Sequence, residues 1–124
     1  MSEAGAVKAE LALTLQAANL DVLDYVPARL QPPITIIRAG SPYLTTASIG
    51  NEYVINLELQ AVAMTADNEQ ATDALDDLIE ALILALPADA GFKDVSQPYN
   101  LVANGAEYLA ATIGIDLPLT IEGA

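Results

Sequence analysis

Two stretches of the chain alternate between apolar and polar residues, and this alternation constrains the fold more than any other feature. They are EYVINLELQAVAM, residues 52–64, and EYLAATIGIDLPL, residues 107–119. A period of two places successive side chains on opposite faces of a β-strand, so each stretch predicts a strand with one buried face. The predicted core side chains are Tyr53, Ile55, Leu57, Leu59, Ala61 and Ala63 in the first strand, and Leu109, Ala111, Ile113, Ile115 and Leu117 in the second. The polar face of the first strand carries Glu52, Asn56, Glu58 and Gln60, with Val54 as the exception.

Two shorter strands are predicted beside these. ITIIRAG, residues 34–40, is rich in β-branched residues and stops at Gly40. Residues 95–102 predict a short strand that Pro98 keeps at a sheet edge, because proline cannot donate to a ladder. The predicted connections are a loop or loose hairpin at 41–51, a turn at 87–94, a tight turn at Asn104-Gly105 and an irregular end from Pro118 onward.

Two amphipathic helices complete the pattern. Residues 3–19 have an apolar side chain every three or four positions and follow Ser2, a good N-cap, with Asn19 as the expected end. Residues 67–86 have the same spacing of apolar side chains and predict a second helix. Their predicted signals are Asp67 as N-cap, Gln70 completing a capping box and Pro87 as the stop. The apolar face of this second helix consists of Ala71, Ala74, Leu75, Leu78, Ile79, Leu82, Ile83 and Leu86.

The order of these elements predicts one α+β domain spanning residues 1–124. Adjacent strands are joined by short turns, which favours antiparallel pairing, and each helix has a single apolar face. We therefore expect a mostly antiparallel sheet of about four strands with the two helices packed on one face. A chain of 124 residues is long enough for one such domain with its own core.

The second helix carries an acidic stripe, which consists of Asp73, Asp76, Asp77 and Glu80. On a helical wheel these residues lie opposite the apolar face, the ordinary pattern of a helix on a core. A specific calcium site needs ligands that converge from a loop, whereas these point outward. We interpret the stripe as a solvated face, and a docking face for a basic partner is the second interpretation.

Like charges at i and i+4 destabilise a helix. We hypothesise that this cost is tolerated because the protein works in an assembly beside a polyanion.

The composition narrows the function. The chain has no histidine and no cysteine, which removes the commonest general base, the Ser-His pairing, thiolate metal ligands and disulfides. Its glycines are scattered and form no phosphate-binding motif. We therefore predict a protein that is not an enzyme, with no catalytic residues, no metal and no cofactor. A formal net charge of -13 repels nucleic acid phosphates, which suits a protein that lies near DNA without binding it.

The apolar content is high for a small domain. Hydrophobic residues make up 53% of the chain, and the mean hydropathy is +0.38. The longest apolar runs are about ten residues, whereas a membrane-spanning helix needs roughly 20. The N-terminus has no basic segment followed by an apolar one, so we expect no signal peptide. The apolar excess therefore predicts a subunit interface. Arg38, one of four basic residues, is expected to pair with a carboxylate of its own or a neighbouring subunit.

Several pieces of the chain resemble a known family in the same order. The longest are YVPARLQPPITIIRAGSPYL, residues 25–44, and VINLELQAVAMTADNEQATDALDDLIEAL, residues 54–82. Pro98-Tyr99 and Tyr108-Leu109 follow them. Together these pieces, which cover residues 25–115, resemble the small tail-terminator proteins of long-tailed bacteriophages, especially those that infect actinobacteria. The shared motifs are structural rather than catalytic.

The resemblance implies a structural protein of the virion. Tail terminators form a hexameric ring on the completed tail tube, stop its polymerisation and provide the joint to the head, while DNA passes through the lumen. The implied partners are further copies of this chain, the tail-tube protein and the head-tail connector or stopper protein, with no membrane and no specific DNA binding. The implied location is the neck of the virion, after assembly in the host cytoplasm.

Within this family, a head-to-tail contact between subunits is heterologous and must close to remain finite. Our candidate for an inter-subunit or inter-ring contact is the loop 41–51, through Tyr43, Leu44 and Ile49. An ordinary hairpin tip is the alternative interpretation of that loop. The acidic stripe is the candidate acidic surface or lumen lining. Two other functions stay open: another neck or tail-tube component, and a small acidic protein-binding module.

Overall fold

The computed structural model describes residues 2–25, 27–46, 52–66, 69–103 and 105–121. In chain order the elements are α1 Glu3–Gln16, β1 Val22–Leu23, β2 Ile34–Thr46, β3 Glu52–Thr65, α2 Ala71–Ala85, β4 Gly91–Val95, β5 Tyr99–Ala103 and β6 Ala106–Thr120. The expected α+β class is confirmed. The expected sheet of about four strands is too small, because the described residues form a mixed sheet of six strands.

The centre of the sheet is formed by β3 and β6. β3 lies between β2 and β6 and is antiparallel to both. Outside β2, the two-residue β1 pairs in parallel with Thr35 and Ile36, and this pairing makes the sheet mixed. Outside β6, β4 and β5 follow one another along the same edge, β4 opposite residues 113–116 and β5 opposite residues 106–110.

Ser96 bridges the gap between β4 and β5. Its backbone N–H donates to the carbonyl of Thr112 at 2.8 Å, and its hydroxyl accepts from the Thr112 N–H at 2.9 Å. The strand predicted at 95–102 is therefore divided, because Val95 ends β4 and β5 begins only after Pro98. Proline lies between the two strands because it has no N–H to give to the ladder.

One face of the sheet is covered by both helices, and we call it the helix face. The predicted core side chains of β3 and β6 are buried here, apart from Tyr53 and Leu109, which are half-buried. α1 and α2 add leucines to the same cluster, so the expected packing of both helices on one face is confirmed. The helical leucines buried in this cluster are Leu11, Leu15, Leu75 and Leu82.

The opposite face, which we call the second face, is apolar at one end and polar along the rest of β3. A small cluster at the apolar end joins β2, β3 and β6 and is covered by Leu30, from the segment between β1 and β2. The expectation of a solvated polar face on β3 is therefore wrong in part. Asn56 and Gln60 are each only 6% exposed, and Val62 is fully buried.

Helix α1 begins where the sequence predicts. The Gly5 N–H donates to the Ser2 hydroxyl at 3.0 Å, which makes Ser2 the N-cap. The helix ends at Gln16 rather than at Asn19, and the residues between form a turn in which Asn19 has a left-handed φ of 65°. The Gln16 side chain donates to the Val22 carbonyl at 2.9 Å and ties this turn to β1.

Helix α2 begins later than the sequence predicts, at Ala71 instead of residue 67. The Ala66 N–H donates to the Glu107 carbonyl at 2.9 Å, so the chain is still attached to β6 at residue 66. Gln70 occupies the N-cap position without a side-chain capping bond, so the predicted capping box is wrong. Asp67 lies outside the described residues. The predicted end before Pro87 is confirmed.

Two segments predicted as connections are strands. β2 continues to Thr46, through most of the predicted loop, and a register irregularity between Ala39 and Leu44 accommodates Pro42. Residues 47–51 of that loop lie outside the described part of the chain. The predicted turn at 87–94 is correct only up to residue 90, because residues 91–94 belong to β4.

The sequence predicts an irregular end from Pro118 onward, but the last strand does not end there. Pro118 pairs in register with Val54 of β3, and β6 continues to Thr120. The last residue of β6 that pairs with β4 is Asp116, so β6 is an edge strand at Pro118 and tolerates the missing N–H. Gly105, with φ of 77°, forms the predicted turn into β6, and Asn104 lies outside the described residues.

Thr35 in β2 is fully buried, and its hydroxyl has no hydrogen-bond partner in the described structure. An unsatisfied buried hydroxyl costs about 1–3 kcal/mol. Thr35→Val replaces that hydroxyl with a methyl group of similar size, so we predict that it raises the free energy of unfolding by about 1 kcal/mol in urea titrations. Thr35→Ser is the matched control, because it keeps the hydroxyl and removes the methyl group, and it should lower the stability. A destabilised valine variant would show that the hydroxyl is satisfied in solution.

Candidate functional site

The acidic stripe lies on the side of α2 that faces away from the sheet. Asp73, Asp76, Asp77 and Glu80 are all exposed, whereas Ala71, Leu75 and Leu82 of the same helix are buried. Among the described residues, no group of three or more acidic side chains is arranged to hold a metal ion. The stripe can therefore repel anions or attract a basic surface, both of which need only charge.

The apolar face of α2 is not entirely covered. Ile83, which the wheel places on the core side, is exposed. Leu84 beside it is 85% exposed. Ile83 and Leu84 thus form an exposed apolar spot near the C-terminal end of α2, although Ala85 and Leu86 still pack against the main core.

The three residues predicted to form a subunit contact have different surroundings. Tyr43 is half-buried against the main core, with the Lys8 ammonium 5.6 Å from the centre of its ring, within the range of a cation–π interaction. Leu44 is 37% exposed. Ile49 lies outside the described residues. In the described part of this segment, Leu44 is thus the large apolar side chain available to another molecule, and Tyr43 belongs mainly to the core.

A polar network on the second face connects β3 to its neighbours, and the sequence analysis did not identify it. Asn56 is at its centre. The amide of Asn56 donates to the Pro42 carbonyl at 2.8 Å, and its carbonyl oxygen accepts from the Lys93 ammonium. One side chain of β3 therefore links β2 with β4. Gly40 packs directly on Asn56, since a Cβ at this glycine would lie 2.8 Å from the Asn56 backbone oxygen. Such a close backbone approach requires glycine.

Gln60 continues the network along β3. Its amide donates to the Tyr99 hydroxyl at 2.9 Å, and that hydroxyl shares a hydrogen bond of 2.9 Å with Thr112. Arg38 donates to the carbonyl oxygen of Gln60 at 3.4 Å. The expected pairing of Arg38 with a carboxylate of its own subunit is therefore wrong within the described residues. Pairing with a neighbouring subunit stays a prediction.

The sequence did contain a signal for this network. The polar positions of β3 alternate between charged residues and the neutral amides Asn56 and Gln60. Buried amides are satisfied by ordinary hydrogen bonds, whereas a buried charge needs a counter-charge. Amides on the polar side of a long strand therefore indicate partial burial, which the alternation of apolar and polar residues does not reveal.

The sheet has two edges with unpaired backbone groups. Beyond Ile36, no strand in the described residues pairs with the outer side of β2, which leaves residues 37–46 open. At the other edge, β4 and β5 pair with β6 and with no further described strand. Phe92 and Val102 on these two strands are exposed. Open strand edges flanked by exposed apolar side chains are places where another chain can pair.

Comparison of the chain with models of known protein families gives no match, and comparison with curated proteins gives none either. Neither helix in the described residues has the length and apolar character needed to cross a membrane. The features of the molecule that bear on its function are the acidic stripe, the polar network and the open edges, together with the resemblance to tail terminators.

Removal of the Asn56 side chain should destabilise the fold, because the Pro42 carbonyl and the Lys93 ammonium would both lose their hydrogen-bond partner. We predict that Asn56→Ala lowers the free energy of unfolding by about 1–3 kcal/mol in urea titrations. Asn100→Ala is the matched control, because Asn100 is an exposed asparagine in β5, and it should change the stability by less than about 0.5 kcal/mol. Equal effects of the two substitutions would contradict a structural role for the network.

Lysines in the acidic stripe should stabilise α2. Asp77→Lys with Glu80→Lys converts two repulsive i,i+4 pairs, with Asp73 and Asp76, into attractive ones. We predict a gain of about 1 kcal/mol in the free energy of unfolding, measured at low salt. The control Asp77→Asn with Glu80→Gln removes the repulsion without adding attraction and should give about half of that gain. No gain from either variant would mean that the repulsion within the stripe is already screened.

Proposed function

We propose that this chain is a structural protein of a long-tailed bacteriophage. It forms a ring at the head-proximal end of the tail, ends polymerisation of the tail tube and provides the joint to the head connector, with DNA passing through its lumen. The resemblance to tail terminators, which covers residues 25–115, suggests this function. The structural observation that supports it best is the sheet with two unlike open edges.

The two edges differ in sequence and lie on opposite sides of one sheet. The β2 edge is open over residues 37–46, and the other edge consists of β4 and β5. A contact between unlike edges of neighbouring copies is heterologous, so each copy leaves one edge ready for the next copy. Such a chain of contacts is finite only when it closes into a ring, and a homohexamer is the ring that we propose.

Termination then follows from shape alone. A ring with one face that fits the tube and another that does not leaves the next tube ring without a complementary surface. The exposed Leu44, near the end of β2, is our proposed contact to a neighbouring ring or subunit. Its role needs no chemistry beyond burial of an apolar side chain.

The charge of the chain supports passage of DNA. A formal net charge of -13 and an exposed acidic stripe repel phosphates, so DNA next to the ring is not held by its backbone. A tail-tube component is the second candidate, because the same open edges would serve a tube subunit. The two candidates differ in whether stacking of rings continues.

Electron microscopy of the purified protein separates these functions. We expect closed rings of uniform size that do not stack into tubes, and rings at the ends of isolated tails when the protein is added to them. Long tubes formed by the protein alone would favour the tube component. A protein that remains monomeric at high concentration and leaves tails unchanged would contradict both functions.

The same assay tests the contact at Leu44. Leu44→Asp should reduce ring formation or the joining of heads to tails, since it places a charge in an apolar contact. Leu13→Asp is the matched control, because Leu13 is an exposed leucine on α1, away from both sheet edges, and it receives the same substitution. Normal assembly and joining by both variants would exclude Leu44 as a contact.

A further inference from the structure

A cavity of about 110 Å³ lies between α1, the turn after α2 and the end of β6. Its lining combines apolar and polar groups in similar measure, and two of the polar groups are carboxylates. The apolar walls are Val7, Leu11, Pro87 and Leu117, and the acids are Glu10 and Asp89. In the described residues, neither carboxylate has an ion pair or a hydrogen bond.

This combination suits a long cationic side chain. Apolar walls accept the methylene groups of lysine or arginine, and carboxylates at the same site bind the charged end. Arginine fits such a site better than lysine, because its planar guanidinium can donate to two carboxylates at once and is more weakly hydrated. Within a chain of net charge -13, this cavity is a place where a base from another molecule would meet both an apolar surface and a counter-charge.

The four basic residues of the chain differ in their surroundings. Lys8 lies over the ring of Tyr43, Arg38 donates to Gln60, and Lys93 donates to Asn56. The fourth base, Arg29, is exposed and makes no ion pair or hydrogen bond within the described residues. It is nevertheless held in place, because the next residue, Leu30, is buried in the cluster on the second face.

Arg29 cannot reach the cavity of its own copy. Leu30 packs in the cluster that contains Ala110, whereas the cavity is lined by Leu117, seven residues further along β6. That separation is about 23 Å along the strand. The two side chains also lie on opposite faces of the sheet, Ala110 on the second face and Leu117 on the helix face. A contact between Arg29 and the cavity must therefore join two copies.

We propose that Arg29 of one copy inserts into the cavity of a neighbouring copy and pairs there with Glu10 and Asp89. The contact rests on the proposed function, because it requires that copies of the chain assemble. It is heterologous, like the pairing of unlike sheet edges, since the donor and the acceptor are different surfaces. It also gives a strongly acidic protein an attractive charge contact with itself.

Reciprocal charge reversal tests this contact in sedimentation velocity over a range of concentrations. Arg29→Glu alone, and Glu10→Lys with Asp89→Lys, should each weaken self-association by at least about tenfold, the size expected for an arginine that anchors an interface. The three substitutions together should restore most of the association, because the charges are exchanged and not removed. Glu69→Lys with Glu107→Lys is the matched control, because both residues are exposed acids outside the cavity, and it should not weaken the association. Circular dichroism shows that each variant is folded.

The outcomes separate this contact from the proposed function. Closed rings in the wild type, with the Arg29 and cavity variants associating normally, would overturn the contact and leave the proposed function standing. Open-ended filaments that both variants weaken and the exchange restores would support the contact and contradict the proposed ring. A wild-type protein that never self-associates would overturn both. Loss of association without restoration in the combined variant would also overturn the pairing.

Discussion

The rest of the structure depends on the burial of β3. This strand pairs with β2 on one side and with β6 on the other, so its backbone is satisfied along nearly its whole length. Its helix-face side chains, from Ile55 to Ala63, are buried in the cluster that also contains leucines of both helices. α1 has no bond to α2 among the hydrogen bonds of the described residues. α2 packs mainly on β3 and also on β6, whereas α1 packs on β6 and β1. Burial of several leucine and isoleucine side chains, at about 1.5–3 kcal/mol each, is the main stabilising term.

The polar side chains on the second face of β3 help to specify its pairing register, which apolar burial on the helix face alone would specify less strictly. A slip of one residue in the pairing of β3 would place Asn56 and Gln60 in the apolar core and move Leu57 and Leu59 to the other face. In the observed register, both amides find partners on neighbouring strands. The polar network therefore helps to specify the register, because a slip of one residue would bury both amides in the apolar core without these partners.

The long strands were predictable because their pattern is set by burial on one face. β3 and β6 are central, and their apolar positions recur at the period of a strand.

The elements that the sequence did not predict lack that pattern for physical reasons. β4 is an edge strand whose Lys93 and Asp94 are exposed, so alternation is absent there. β1 is only two residues long and depends on its pairing with β2. β2 was predicted to stop at Gly40, with Pro42 as a turn signal just after it, whereas in the structure an irregularity in register between Ala39 and Leu44 lets the strand continue. The network and the cavity combine residues that are distant in sequence, and their meeting depends on the register and on the fold.

The division of the outer strand at Ser96 limits edge-to-edge aggregation. A long, flat, continuous edge is a template for indefinite growth into fibres. Here the edge formed by β4 and β5 is interrupted after the five residues of β4. At the interruption, the Ser96 hydroxyl and the Ser96 N–H form hydrogen bonds with the backbone N–H and carbonyl of Thr112. The opposite edge is interrupted by the bulge and by Pro42. Each edge therefore offers short segments that only a partner of matching shape can use. These interruptions protect the protein from edge-to-edge aggregation, and they favour one specific contact over many loose ones.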